Sequence, residues 1–230
     1  MHSPFPPVIP AEMLLLAYRS GIFPMADNRD DPDIFWVEPR ERAILPLDGF
    51  RMSRSLAKVI RQDRFKVTLN RDFDAVINAC AAPRPGHDES WISDRIVESY
   101  RQLHIAGHAH SIECRQDGEL VGGLYGVAFD RVFCGESMFS AARDASKVAL
   151  AWLVALMRQS GYRVLDCQFM TDHLASLGAV EIPQAEYLRR IAEARGEPDD
   201  GLPESHAQIM RNAGQSSPGK LIAQSLTQTS

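Results

Sequence analysis

His110-Ser-Ile-Glu-Cys-Arg115, Gln116-Asp-Gly-Glu119 and Leu120-Val-Gly-Gly-Leu-Tyr-Gly-Val-Ala128 form the stretch that decides the fold. The outer runs read as strands, and Asp117-Gly118 is the core of a hairpin turn between them. Asp130-Arg131 turns the chain again into Val132-Phe-Cys-Gly-Glu-Ser-Met-Phe139, so three strands make an antiparallel meander. The period then becomes helical. Residues 146–160 are apolar at Val148, Leu150, Leu153, Val154 and Met157, and Gly161 ends the run. Tyr162-Arg-Val-Leu-Asp-Cys-Gln-Phe169 follows as a buried strand. Side chains alternate across a strand, so Asp166 and Gln168 share one face and Leu165, Cys167 and Phe169 the other. A carboxylate and an amide on an otherwise apolar strand are costly to bury without partners. They read either as a structural hydrogen-bond pair or as site residues.

Upstream, residues 10–20 read as a short amphipathic helix closed by Gly21, and Ile22-Phe-Pro-Met25 as an extended exit. Ile34–Val37 and Ala43–Leu47 are short strands. Residues 1–50 are therefore expected to form a small N-terminal α+β domain. Ser53 or Ser55 caps a helix to about Gln62, Phe65–Asn70 is a strand, and Asp72 caps a helix to about Ala81. Pro83–Glu89 reads as a loop, and residues 94–106 as a helix. After the 162–169 strand come helices near 171–177 and 184–194. Residues 51–195 are expected to be one α+β domain with a mixed sheet. The 196–230 tail is rich in Pro, Gly, Ser and Gln and is expected to be disordered.

The chain has 230 residues, 45% hydrophobic and 24% charged, as in ordinary globular proteins. No apolar run approaches the ~20 residues of a membrane span, and the N-terminus lacks the pattern of a secretory signal. Cys80, Cys114, Cys134 and Cys167 are scattered singly, which fits a reduced, cytoplasmic protein. The net charge of −5 argues against a nucleic-acid partner. Its distribution argues for one. Nine Lys/Arg from Arg40 to Arg71, among them Arg51, Arg54, Lys58 and Arg61, face only Glu41, Asp48 and Asp63. Such a patch docks a phosphate backbone or is a solvated helix face. His104, His108, His110 and Cys114 invite a metal reading. Gly107 breaks their helix, so no metal is expected, and His108 or His110 reads instead as a buried hydrogen-bonding residue.

A meander, a helix and a further strand, preceded by helix-strand-helix, is the order of the GCN5-related acetyltransferase fold. Those enzymes hold a cofactor pyrophosphate at a glycine-rich helix start. Here that junction is Met138-Phe-Ser-Ala-Ala-Arg-Asp-Ala-Ser146, without glycine, which weighs against acyl-CoA. Beyond element order, Tyr18-Arg-Ser-Gly-Ile-Phe-Pro-Met25, Trp36 with Pro39-Arg40, Trp91-Ile-Ser93, Gly107-His-Ala-His-Ser-Ile-Glu113, Leu120–Val127, Phe133-Cys-Gly-Glu-Ser-Met-Phe-Ser140, Ala145-Ser-Lys147 and Asp166-Cys-Gln168 resemble the leucyl/phenylalanyl-tRNA–protein transferases, from about Pro10 to Arg190. The segment before Pro10 is short for that family.

The resemblance implies a GCN5-like catalytic domain, no cofactor and no metal. It implies transfer of Leu or Phe from aminoacyl-tRNA to the α-amine of proteins beginning with Arg or Lys, for degradation through the N-degron pathway. Asp166 and Gln168 are then catalytic, Gln168 bonding the attacking amine and Asp166 orienting Gln168 and offsetting the amine's charge. Glu136 belongs to the same site, where a carboxylate suits an acceptor's Arg or Lys side chain. Trp36 and Trp91 become platforms near the terminal adenosine. Leu124, Phe133, Met138, Leu150, Leu153 and Leu165 match the family's aminoacyl pocket, with Leu124 in place of an expected Met and Leu153 in place of Phe. With a tRNA substrate, the charge of Arg51, Arg54, Lys58 and Arg61 makes that basic segment its expected contact. A monomer without membrane contact is expected. Rival readings are an acyl-CoA N-acyltransferase and a non-catalytic tRNA-binding adaptor.

Overall fold

The structure is a computed structural model that describes residues 8–83, 90–214 and 216–227. Helix α1 (Ala11–Arg19) buries Leu14, Leu15, Ala17 and Tyr18, and Gly21 leaves it at φ +76°. Strands β1 (Phe23–Met25) and β2 (Phe35–Val37) pair as a small antiparallel ribbon. After β3 (Glu41–Ile44), the Ser53 side chain accepts from the Leu56 amide and starts α2 (Arg54–Arg61). β4 (Lys66–Leu69) leads to α3 (Phe73–Ala81), capped by Asp72, and α4 (Asp94–Ile105) begins at Ser93. The loop expected over 83–89 falls, apart from Pro83, outside the described residues.

The meander forms as expected from β5 (Ala109–Gln116), β6 (Glu119–Phe129) and β7 (Val132–Ser140). Its first turn has positive φ at Asp117 (54°) and Gly118 (91°), the pair a two-residue hairpin with the right twist requires. Helix α5 (Ala145–Gln159) then crosses the sheet to β8 (Val164–Gln168), parallel to β7. The chain continues through α6 (Asp172–Ser176), β9 (Val180–Pro183) and α7 (Gln184–Glu193). The seven strands lie in the order β4-β5-β6-β7-β8-β3-β9, antiparallel except for the β7–β8 pair. This mixed sheet, with a helix joining its parallel strands, is the expected α+β, acetyltransferase-like arrangement. Helices cover both faces. One core joins α2 and α5 to the sheet, and the other joins α1, α3, α4 and α7 to it. Among the described residues no helix is long and apolar enough to cross a membrane.

Three expectations are corrected. β3 does not close off a domain at residue 50. It lies inside the main sheet between β8 and β9, because both of its edges find strand partners there. The strand β9 was not foreseen: four residues beginning beside Gly178 carry too short a pattern. The tail is not disordered. Helices α8 (Leu202–Ala213) and α9 (Pro218–Thr227) bury Leu202, Ile209, Ile222 and Leu226 against α2 and α5. Polar residues fill the outer faces of both helices, which hid the apolar stripe from composition, and Pro203 and Pro218 fall in first turns, where proline is tolerated.

Candidate active site

A pocket of about 430 Å³ opens where β6, β7 and β8 meet α5. Leu124, Met138, Leu150, Leu153 and Leu165 line it together. Phe133 stands behind the wall. It is 1% exposed, pairs with Leu165 across the parallel strands, and its ring occupies the space a Cβ on Gly126 would need. Trp91 reaches the pocket. Trp36 stands on the outer strand of the ribbon, opposite Pro24 and 39% exposed. The ribbon borders the pocket, since the Ala26 amide donates to the Trp91 carbonyl (3.3 Å) and Phe23 packs edge-on against Phe169 (5.7 Å), itself a lining residue. Thr171, His173 and Leu174 from the start of α6 close one side, a contribution sequence reading missed because nothing in that short helix marks a site.

The polar end of the pocket is built on Gln168. This residue has φ +62°, and the Phe169 amide donates to the Cys167 carbonyl across it (2.8 Å). That is the bond and the φ of the rare, strained γ-turn. A non-glycine residue persists there only when its surroundings impose it. They do: Asp166 Oδ1 accepts from the Gln168 backbone N–H at 2.8 Å. The side chain is thereby turned so that Nε2 donates to Glu136 Oε1 at 3.0 Å. A carboxylate oxygen accepts, so the bonded end is the amide NH2, and the amide oxygen is left to receive a donor.

Asp166 is fully buried and does not line the pocket. Arg42 holds it bidentately, Nε to Oδ1 at 2.9 Å and the second amino group to Oδ2 at 2.6 Å. Tyr187 donates to Oδ2 at 2.9 Å and the Cys134 thiol at 3.3 Å. The Arg42 guanidinium lies between the rings of Phe23 (4.7 Å) and Tyr187 (4.4 Å). Burial opposes its charge, but Asp166 prevails and its pKa is raised. The expected direct offsetting of the amine's charge by Asp166 therefore does not fit, because a full cation already answers it. Arg42, counted in the sequence among the basic patch, is withdrawn from that surface. Arg51, Arg54, Lys58 and Arg61 are exposed along the approach to α2 and on its outer face.

Glu136 is the only carboxylate among the described residues lining the pocket. Tyr18 donates to Oε1 (2.8 Å), and Tyr100, 3.2 Å from Oε2, shares its one proton between Oε2 and the Tyr18 oxygen. Burial pushes its pKa up to about 7, against the pull of Tyr18, Gln168 and Tyr100. With these donors already in place, it is poorly disposed to pair with the acceptor's Arg or Lys side chain, the partner first expected for it. The histidines of the rejected metal cluster are engaged elsewhere. His104 stacks on Phe73 (4.3 Å), and His110, 8% exposed, bonds Asn70 at 2.9 Å. His110 is thus the buried hydrogen-bonding residue the sequence suggested.

The fold and this pocket define an α+β protein of acyltransferase-like topology with a cavity beside its parallel strand pair. Sequence profiles for the leucyl/phenylalanyl-tRNA protein transferases and for their N-terminal domain match residues 44–192 and 9–40. A leucyl/phenylalanyl-tRNA–protein transferase of Novosphingobium aromaticivorans is 58% identical, with 98% of each chain covered. Those of Rhodopseudomonas palustris (strain HaA2; 57%, over 81% of this chain and 83% of the relative) and Zymomonas mobilis (56%, over 81% and 70%) are similar too. The chain belongs to the leucyl/phenylalanyl-tRNA protein transferase family and is an aminoacyltransferase. Solved structures are more distant. The C-terminal domain of a putative lysylphosphatidylglycerol synthetase from Agrobacterium fabrum is 12% identical with a TM-score of 0.39, over 88% of this chain and 69% of that one, so the fold rests on the topology above.

Proposed function

We propose that this enzyme moves Leu, and with it Phe or Met, from aminoacyl-tRNA to the α-amine of proteins beginning with Arg or Lys, marking them for N-degron degradation in the cytoplasm. The observation that carries the reading is Gln168, held on a strained turn at the polar end of an apolar pocket and bonded to Glu136. The aminoacyl side chain enters among Leu124, Met138, Leu150, Leu153 and Leu165, where flexible Met138 suits both a branched and an aromatic guest. The ester carbonyl is already activated, so the enzyme's work is alignment and proton transfer. The Gln168 amide oxygen accepts from the α-amine. Glu136, with a pKa near 7, takes the ammonium proton, directly or through one water. The freed nitrogen attacks the ester carbon. The bond to the ribose oxygen then breaks, that oxygen leaves with a proton, and the amide is formed. Asp166, Arg42 and Tyr187 are positioning residues, acting through the backbone of Gln168. Trp91 stacks on the terminal adenosine, Trp36 flanks the mouth, and Arg51, Arg54, Lys58 and Arg61 meet tRNA phosphates.

An acyl-CoA substrate is disfavoured by the missing glycines and because Ser140 Oγ already accepts from the Ser146 amide in the first turn of α5 (3.2 Å). The test is transfer of labelled Leu from Leu-tRNA to a peptide beginning with Arg. Gln168→Ala is expected to lower kcat about 10–100-fold with the thermal transition unchanged. An unaltered rate would sink the assignment.

A further inference from the structure

The family profile ends at residue 192, and the chain, which the Novosphingobium relative matches over 98% of its length, continues into two packed helices. The second of them, α9, packs on both α5 and α2, the helix that carries the basic residues, while α8 packs on α5. The Ser217 hydroxyl donates to the Arg61 carbonyl (3.1 Å), one of the orphan acceptors at the end of α2. Asp63, just past that end and at φ 45°, accepts from the Gly219 amide at 2.8 Å. Gly219 lies so close to α2 that a Cβ there would come within 1.9 Å of the Ile60 carbonyl oxygen. Ile222, Ala223 and Leu226 share the core of Leu56 and Ile60. The far end of α9 is tied to α5, where Arg158 donates to Ser225 (3.0 Å) and also, through Nε, to Leu47 ahead of α2 (2.9 Å). The inner face of α2 is thus fixed at its last turn, while Arg54, Lys58 and Arg61 look outward. Lys220, exposed on the first turn of α9, adds a cation at the same end.

We infer that the α8–α9 extension is a brace for tRNA docking: it sets the pitch of α2, so that its cations meet the phosphates of the tRNA body while the ester reaches the pocket. This rests on the reading of α2 as the tRNA-binding helix. A docking brace governs KM for intact tRNA and leaves the chemical step alone. It has no hold on a donor too small to touch α2.

The experiment measures transfer from Leu-tRNA and from a minimal donor, 2′(3′)-O-leucyl-adenosine, with melting followed by circular dichroism. Gly219→Ala must part α9 from Ile60. It is expected to raise KM for Leu-tRNA about three- to tenfold with kcat unchanged, and to leave the minimal donor's kcat/KM as it was. The double variant Asp63→Ala/Ser217→Ala removes the same ties without steric push and should move KM in the same direction should Gly219→Ala fail to fold. Unchanged KM for tRNA in the folded variants overturns the brace, as does an equal loss with both donors. Arg54→Glu/Lys58→Glu separates the two ideas. If it leaves KM for tRNA unaltered, the reading of α2 fails and the brace with it. If it raises KM while the α9 variants do not, only the brace fails.

Discussion

Two buried carboxylates hold Gln168, Asp166 by its backbone N–H and Glu136 by its side chain, and the protein compensates them in opposite ways. Asp166 receives a whole cation, bidentate and sandwiched between rings. Glu136 receives only neutral donors, two phenols and an amide, and its pKa rises to about 7. The difference separates a fixed charge from a titratable one. A carboxylate locked to Arg42 is a fixed anchor and holds a strained backbone. A carboxylate surrounded by neutral donors sits near the pH of use and can exchange a proton.

Breaking the anchor should have the largest effect. Arg42→Met leaves Asp166 without its cation in the interior and is expected to cost about 3–5 kcal/mol, read as a fall in the urea midpoint. Adding Asp166→Asn should recover part of the loss, and if Arg42→Met is as stable as the parent, the contrast with Glu136 is void. For the same reason Asp166→Ala is a poor probe of catalysis, since it strands the Arg42 guanidinium.

The second test uses pH. Burial raises the folded pKa of Glu136 above its ordinary value, so the folded state binds the extra proton more tightly. That stability is complete below about pH 4.5 and is lost as pH rises through about 7, amounting to about 3 kcal/mol. Glu136→Gln should flatten this segment of the stability profile and remove the rise of transfer rate through neutrality. A parent and variant with the same slope would overturn the neutral-donor account.

A smaller effect falls on the residue between them. Gln168→Gly relieves the left-handed strain and is expected to raise stability by about 1 kcal/mol while abolishing alignment of the amine, a gain in melting temperature with a loss of rate. The smallest concerns the tRNA surface. Lys58→Ala should lessen the slope of log affinity against log salt by about one and leave the minimal donor untouched.

The sequence by itself determined the meander, the α5 crossover and the pairing of Asp166 with Gln168 on one strand, because alternation and turn chemistry are local. Asp117-Gly118 needs nothing distant to form its turn. Of the six residues named from the resemblance, five line one cavity in the fold. What only the tertiary structure decided were relations across long separations. Arg42 is 124 residues from Asp166, and nothing in a run of basic residues says which one will be buried. Tyr18 and Tyr100 meet Glu136 from two different helices. The apolar stripe of α9 has meaning only once α2 and α5 offer it a surface. A strand or a turn follows from neighbouring residues, but the state of a buried charge follows from whatever the completed fold sets against it.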